Sequence, residues 1–95
     1  MPKYRLAGAA KGDLAEIIRY GERNYGPEAS NAYRDKLEAH FARLAVQPYL
    51  YTAVDDLRAG YRRSLCGVHV IYYRVVEDGV EIIRILRSQD LRTSL

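Results

Sequence analysis

From Ala9 toward Tyr25 the apolar side chains fall at Leu14, Ile17, Ile18, Gly21 and Tyr25, while Lys11, Asp13, Glu16, Arg19, Glu22 and Arg23 lie mostly on the other side. That spacing predicts an amphipathic helix over residues 9–24. Gly26-Pro27-Glu28 then stops one helix and starts another. Glycine suits the turn, proline is tolerated in a first helical turn, and Glu28 suits the positive end of the helix dipole. The second helix is expected to run to Val46, with an apolar stripe of Ala29, Tyr33, Leu37, Phe41 and Leu44. Pro48 ends it, because a residue preceding proline is pushed away from helical dihedrals. So short a link makes the two helices an antiparallel hairpin. Ahead of them, Tyr4-Arg5-Leu6-Ala7 reads as a short strand with Tyr4 and Leu6 on one face.

Beyond a connection over residues 47–60, three strand candidates follow, at about 60–66, 68–76 and 80–87. Asp78-Gly79 between the last two is a strong hairpin signal. The order is β-α-α-β-β-β, an α+β domain with the helical hairpin packed on one face of a small, mainly antiparallel sheet. A two-residue turn at Asp78-Gly79 would place Ile71/Leu86, Tyr73/Arg84 and Val75/Ile82 on the helix side. Val70/Arg87, Tyr72/Ile85, Arg74/Ile83 and Val76/Glu81 would then lie on the open side. Arg84 is the misfit in that register. It is expected at an edge, along Tyr73 or against a carboxylate, since an unpaired buried charge is costly.

Composition narrows the class. Ninety-five residues make a single domain over 1–95, and 48% hydrophobic with 28% charged residues is ordinary for a soluble globular chain. No apolar run approaches the roughly 18 residues of a membrane span, and the start has no apolar signal-like region, so a cytoplasmic protein without membrane contact is expected. Cys66 is the only cysteine, which excludes an intrachain disulfide, and no Cys/His grouping has metal-ligand spacing. No cofactor is expected. The charge is lopsided: residues 1–56 carry eight basic and eight acidic side chains, residues 57–95 seven basic and four acidic. All seven of those cations are arginine, whose planar fork suits carboxylate or phosphate.

Four stretches carry a family resemblance: "YRLAGAAKGDLAEIIRYGERNYG", "DDLRAGYRRS", "GVHVIYYRV" and "VEIIRILRSQD". In this order and spacing the chain resembles the RelE/ParE superfamily of toxins from type II toxin–antitoxin systems, and within it ParE. The resemblance implies a growth-inhibiting toxin that acts by binding DNA gyrase. It also implies a cognate ParD-like antitoxin, bound in a hetero-oligomer such as a heterotetramer, with DNA reached only indirectly through that antitoxin. The rival is a RelE-like ribosome-dependent mRNA endoribonuclease, which needs a base for the 2′-hydroxyl, positive charge for the phosphorane and an acid for the leaving oxygen.

The tail from Ser88 onward contains no Tyr, His or Lys. Arg74, Arg84 and Arg87 could hold phosphate but do not shuttle protons. His69, Tyr72 and Tyr73 read as strand residues, His40 as a helix residue, and Asp90 belongs to the tail. No catalytic set is therefore expected, and the chain reads as a non-enzymatic inhibitor. A third reading is an inactive homologue that only binds antitoxin as a co-repressor. Antitoxin contacts are expected in the outer grooves of the helical hairpin, at Tyr49, Leu50 and Tyr51, and through Arg58, Arg62 and Arg63. Target contacts are expected at Tyr72, Arg74, Arg84 and Arg87.

Overall fold

A computed structural model describes residues 2–88. Its elements are β1 (Lys3–Leu6), α1 (Gly8–Tyr25), α2 (Pro27–Val46), β2 (Thr52–Ala53), β3 (Tyr61–Cys66), β4 (His69–Val76) and β5 (Gly79–Arg87). They form one five-stranded sheet in the order β1-β5-β4-β3-β2. β1 runs parallel to β5 and the other pairs are antiparallel, so the sheet is mixed. β2 is the element that residue pattern alone missed, being two residues long.

The helical hairpin turns at Gly26, whose φ of 91° favours glycine, with Pro27 opening α2. The helices cross closely where Ser30 Oγ donates to the Ile18 carbonyl at 2.8 Å. A side chain at position 21 would stand 2.8 Å from that oxygen, so Gly21 is the crossing point rather than part of an apolar stripe. Leu37, Phe41 and Leu44 are fully buried against Ile71, Tyr73, Val80, Ile82 and Ile85 of the sheet. Tyr4 and Leu6 of β1 share the helix side, Tyr4 lying 5.5 Å from the Phe41 ring. On α1 only Ala10 is fully covered, while Leu14 and Ile17 pack partly and Tyr25 is exposed, contrary to its place in the expected stripe.

The β4–β5 register differs from expectation in two ways. Val76 pairs with Gly79, so the turn is Glu77-Asp78 and Gly79 belongs to the strand. This two-residue shift leaves faces unchanged. Ile83 is then skipped: Tyr73 pairs with Ile82 but Tyr72 with Arg84, a β-bulge. One extra residue inverts the alternation beyond it. Ile85 therefore enters the core instead of Leu86, and Leu86 joins Val54, Val70, Tyr72, Tyr61 and Ile83 in a second cluster on the open side. Arg87 moves to the helix side opposite His69.

The bulge also resolves the misfit at Arg84. β1 pairs with β5 only as far as Ile82, which leaves the edge of β5 open beyond it. Asp13 of α1 covers that edge: its carboxylate accepts the Ile85 backbone N–H at 2.9 Å and the Arg84 guanidinium at 2.7 and 3.0 Å. The expected carboxylate partner of Arg84 is thus Asp13, and the pairing raises the Arg84 pKa above its ordinary value.

Candidate functional site

Because α1 buries so little of its length, the turn end of the helical hairpin stands off the sheet. The gap is a cleft of about 760 Å³ between α1, the start of α2 and the ends of β4 and β5. Ile17, Tyr20, Val68, Ile85 and Leu86 supply apolar lining, and Asp13, Glu16, Arg23, Tyr33, His69 and Arg87 supply polar and charged groups. Tyr33 Oη lies 2.6 Å from His69 Nδ1 and also donates to the Cys66 carbonyl at 3.3 Å. Burial raises the Tyr33 pKa. Arg87 lines the cleft, and its Nε is buried with no hydrogen-bond partner among the described residues. Tyr20 and Tyr25 form an edge-on pair at 6.3 Å, with Tyr20 lining the cleft and Tyr25 reaching it.

Sequence reasoning placed Arg87 among target contacts and Tyr33 in the core; the structure brings both to this cleft. Asp13, Tyr20 and Val68 were missed as site residues. The close helix–helix approach at Gly21 and Ser30, beside which the cleft lies, is not encoded in the apolar pattern.

The other singled-out residues separate into two groups. Tyr72 is 7% exposed, packed under Val54 and Val70, so it is not a contact surface; the bulk of Val54 arriving from the connection covers it. Arg74 is exposed and shares Glu81 with Arg5, at 2.7 and 3.3 Å, which holds the Glu81 carboxyl below its usual range, chiefly through the Arg74 hydrogen bond. Arg84 is turned to Asp13. Arg58 lies over the Tyr61 ring at 5.7 Å, and Arg63 is exposed on β3. Arg62 works inside the chain: it donates to the carbonyls of Tyr51 and Tyr49, at 2.7 and 3.5 Å, and lies 5.1 Å over the Tyr49 ring. Tyr49 and Leu50 remain exposed and Tyr51 is half-buried beside His40. Asp90 lies outside the described residues.

Two buried pairs bear on chemistry. His40 Nε2 lies 2.7 Å from Ser64 Oγ, but Arg43 Nη2 stands 3.1 Å from Nδ1. A guanidinium only donates, so Nδ1 accepts and the proton sits on Nε2, aimed at the serine. In that tautomer His40 cannot take the serine proton, and the pair is a core hydrogen bond. Burial, then the charges of Arg43 and Lys36, hold the His40 pKa below its ordinary value. Stability from keeping His40 neutral is therefore fully present above the unfolded pKa of about 6.5 and falls as pH drops through that value. The urea midpoint should be lower at pH 5.5 than at pH 7.5, and His40→Gln should flatten that slope; an equal slope in both proteins would rule out His40 as its source. Tyr73 is fully buried, donates to the Pro48 carbonyl at 2.7 Å, and is pushed up to about 12 by burial, so it titrates outside the working range of an acid or base at neutral pH. Cys66 is likewise buried, with its thiol pKa raised.

Comparison with known proteins follows the same outline. Residues 4–92 match the family described as ParE toxin of type II toxin-antitoxin system, parDE. Toxin ParE1 of Caulobacter vibrioides is 42% identical over 96 residues, spanning 100% of this chain and 99% of that one. Toxin ParE1 of Mycobacterium tuberculosis is 31% identical over 88 residues, spanning 92% and 90%. Among solved structures, the chromosomal ParDE TA system from P. aeruginosa shares the fold with a TM-score of 0.77 at 19% identity, covering 92% of this chain and 96% of that one. The strand, helical hairpin and mixed sheet seen here are thus those of a known group, and the chain belongs to the ParE toxin family of type II toxin–antitoxin systems.

Proposed function

We propose that this ParE toxin inhibits growth in the cytoplasm by binding DNA gyrase, without turnover, and is silenced by a ParD-like antitoxin whose amphipathic segment fills the cleft. The observation that carries the antitoxin half is the cleft itself. Its apolar lining beside the Arg87 side chain matches a helix presenting an apolar face and one carboxylate. A partner that binds only the folded form also stabilises a domain this small by mass action. The complex is proposed to be a hetero-oligomer that meets DNA through the antitoxin. Family membership supports the gyrase half. The test is a supercoiling and cleavage-complex assay with purified toxin: inhibition that added antitoxin reverses is expected, and no effect at saturating toxin rejects gyrase as target.

Arg87→Ala should weaken antitoxin binding by roughly tenfold or more in calorimetry, because truncating one side of a desolvated charge pair is costly. An unchanged dissociation constant would move the antitoxin off the cleft.

One observation favours a second reading, ribosome-dependent mRNA cleavage: Tyr33, His69 and Arg87 are grouped, a phenol, an imidazole and a guanidinium at one cleft. Against it, burial raises the Tyr33 pKa, which suits the core better than proton transfer. Codon-linked cuts in the ribosomal A site on induction would favour the enzyme, and their absence removes it.

A further inference from the structure

We propose that the turn at residues 48–51, together with Val46, is the surface that engages the toxin's target, separate from the cleft that takes the antitoxin. Within five residues, Val46 is 66%, Tyr49 68% and Leu50 67% exposed, three apolar side chains close together in sequence at the end of α2. Scattered exposed apolar residues are ordinary, but a cluster of this kind marks an interaction site.

The turn is also held rigid from inside. Leu50 N–H donates to the Gln47 carbonyl at 3.2 Å, and Tyr73, rooted in the core, donates to the Pro48 carbonyl at 2.7 Å. Arg62 grips the carbonyls of Tyr49 and Tyr51 and lies against the Tyr49 ring. β3, β4 and the turn's own hydrogen bond thus fix a segment from which Tyr49 and Leu50 reach solvent. Such preorganisation lowers the ordering cost of binding, and an aromatic and an aliphatic anchor side by side suit insertion into a pocket.

Shape decides the occupant. A segment that folds as it binds needs a concave apolar surface to cover its own apolar face, and the cleft offers that. A rigid projection fits the reverse case, a preformed apolar pocket on a large folded protein. Of the target contacts expected at Tyr72, Arg74, Arg84 and Arg87, Tyr72 is buried, Arg87 lines the cleft, and Arg74 and Arg84, though exposed, are paired with Glu81 and Asp13, whereas Tyr49 and Leu50 are exposed. Arg62 is a positioning residue here, not a contact.

This inference rests on the toxin reading but not on gyrase being the target. The test is Tyr49→Ala with Leu50→Ala in the full chain, with folding checked by circular dichroism. Growth inhibition on induced expression should fall tenfold or more, while the dissociation constant for the purified antitoxin from the adjacent reading frame stays within about threefold. Arg62→Lys should keep part of the toxicity and Arg62→Ala less, both with antitoxin affinity unchanged. Full toxicity of the double variant overturns the proposal, as does a tenfold loss of antitoxin affinity, which would give the turn to the antitoxin. A dimer in sedimentation that the double variant dissolves would give it to a second copy and overturns it equally. A parent chain that does not inhibit growth removes the toxin reading and this inference together. Growth inhibition with no effect on purified gyrase removes only the named target.

Discussion

Gly79→Ala should destabilise the domain by about 4 kcal/mol or more, a large part of the roughly 5–15 kcal/mol available to a small protein. A side-chain carbon at position 79 would fall 1.7 Å from the Lys3 carbonyl oxygen, a backbone atom with no rotamer to escape into. The φ of 155° adds strain for any other residue. Relief requires β1 to move away, which breaks the pairing of Lys3 with Gly79 and the 2.8 Å bond from Lys3 N–H to the Asp78 carbonyl. Tyr4 and Leu6 would lose their cover at the same time. The control is Gly12→Ala, where nothing stands within 4 Å: alanine in a helix interior should stabilise by about 0.5–1 kcal/mol. Urea unfolding of both variants checks the pair. A Gly79 variant within 1 kcal/mol of the parent would mean that β1 is not held as described.

Asp13→Ala should cost about 3 kcal/mol by the same measurement. It strands the Ile85 N–H on an edge that no strand covers, and an unsatisfied backbone donor costs roughly 1–3 kcal/mol. It also removes the partner of Arg84, a half-exposed pair contributing no more than about 1 kcal/mol. Asp13→Asn keeps an acceptor for the amide and loses the charge, so it should cost only about 1 kcal/mol, near the effect of Arg84→Ala. If the alanine and asparagine variants are equally unstable, the carboxylate acts through charge alone and the edge-covering role is wrong.

The helices, the order of elements and the α+β class were legible because their marks are local: helical spacing, Gly26-Pro27, a proline after α2, and β-branched residues on either side of Asp78-Gly79. The expected burial of Leu37, Phe41, Leu44 and Tyr73 follows from the same marks. What was not legible depends on pairs of elements. Ile83 looks like any strand residue, and only the meeting of β4, β5 and the end of β1 makes it a bulge. Gly79 was read as a turn glycine, yet the approach of β1 across the sheet is what requires it. Tyr72 and Arg62 were assigned to surfaces on residue type; one is buried by Val54 and the other is occupied by backbone carbonyls of a loop whose path the sequence does not specify. The cleft lies beside the close approach of the two helices at Gly21 and Ser30, which residue type along one helix does not reveal.

The parallel pairing of β1 with β5 has a consequence for how the molecule comes into being. Arg5 and Glu81, paired and ion-bridged across it, are 76 positions apart in the chain. Contacts so remote in sequence form late, since loop closure precedes any return from them. While the ribosome is still adding β4, the helical hairpin can assemble but β1 has no neighbour, and neither the floor of the cleft nor the cover over Phe41 is complete. Synthesis from one end to the other therefore leaves β1, the first element made, without its sheet neighbour until β5 has followed it.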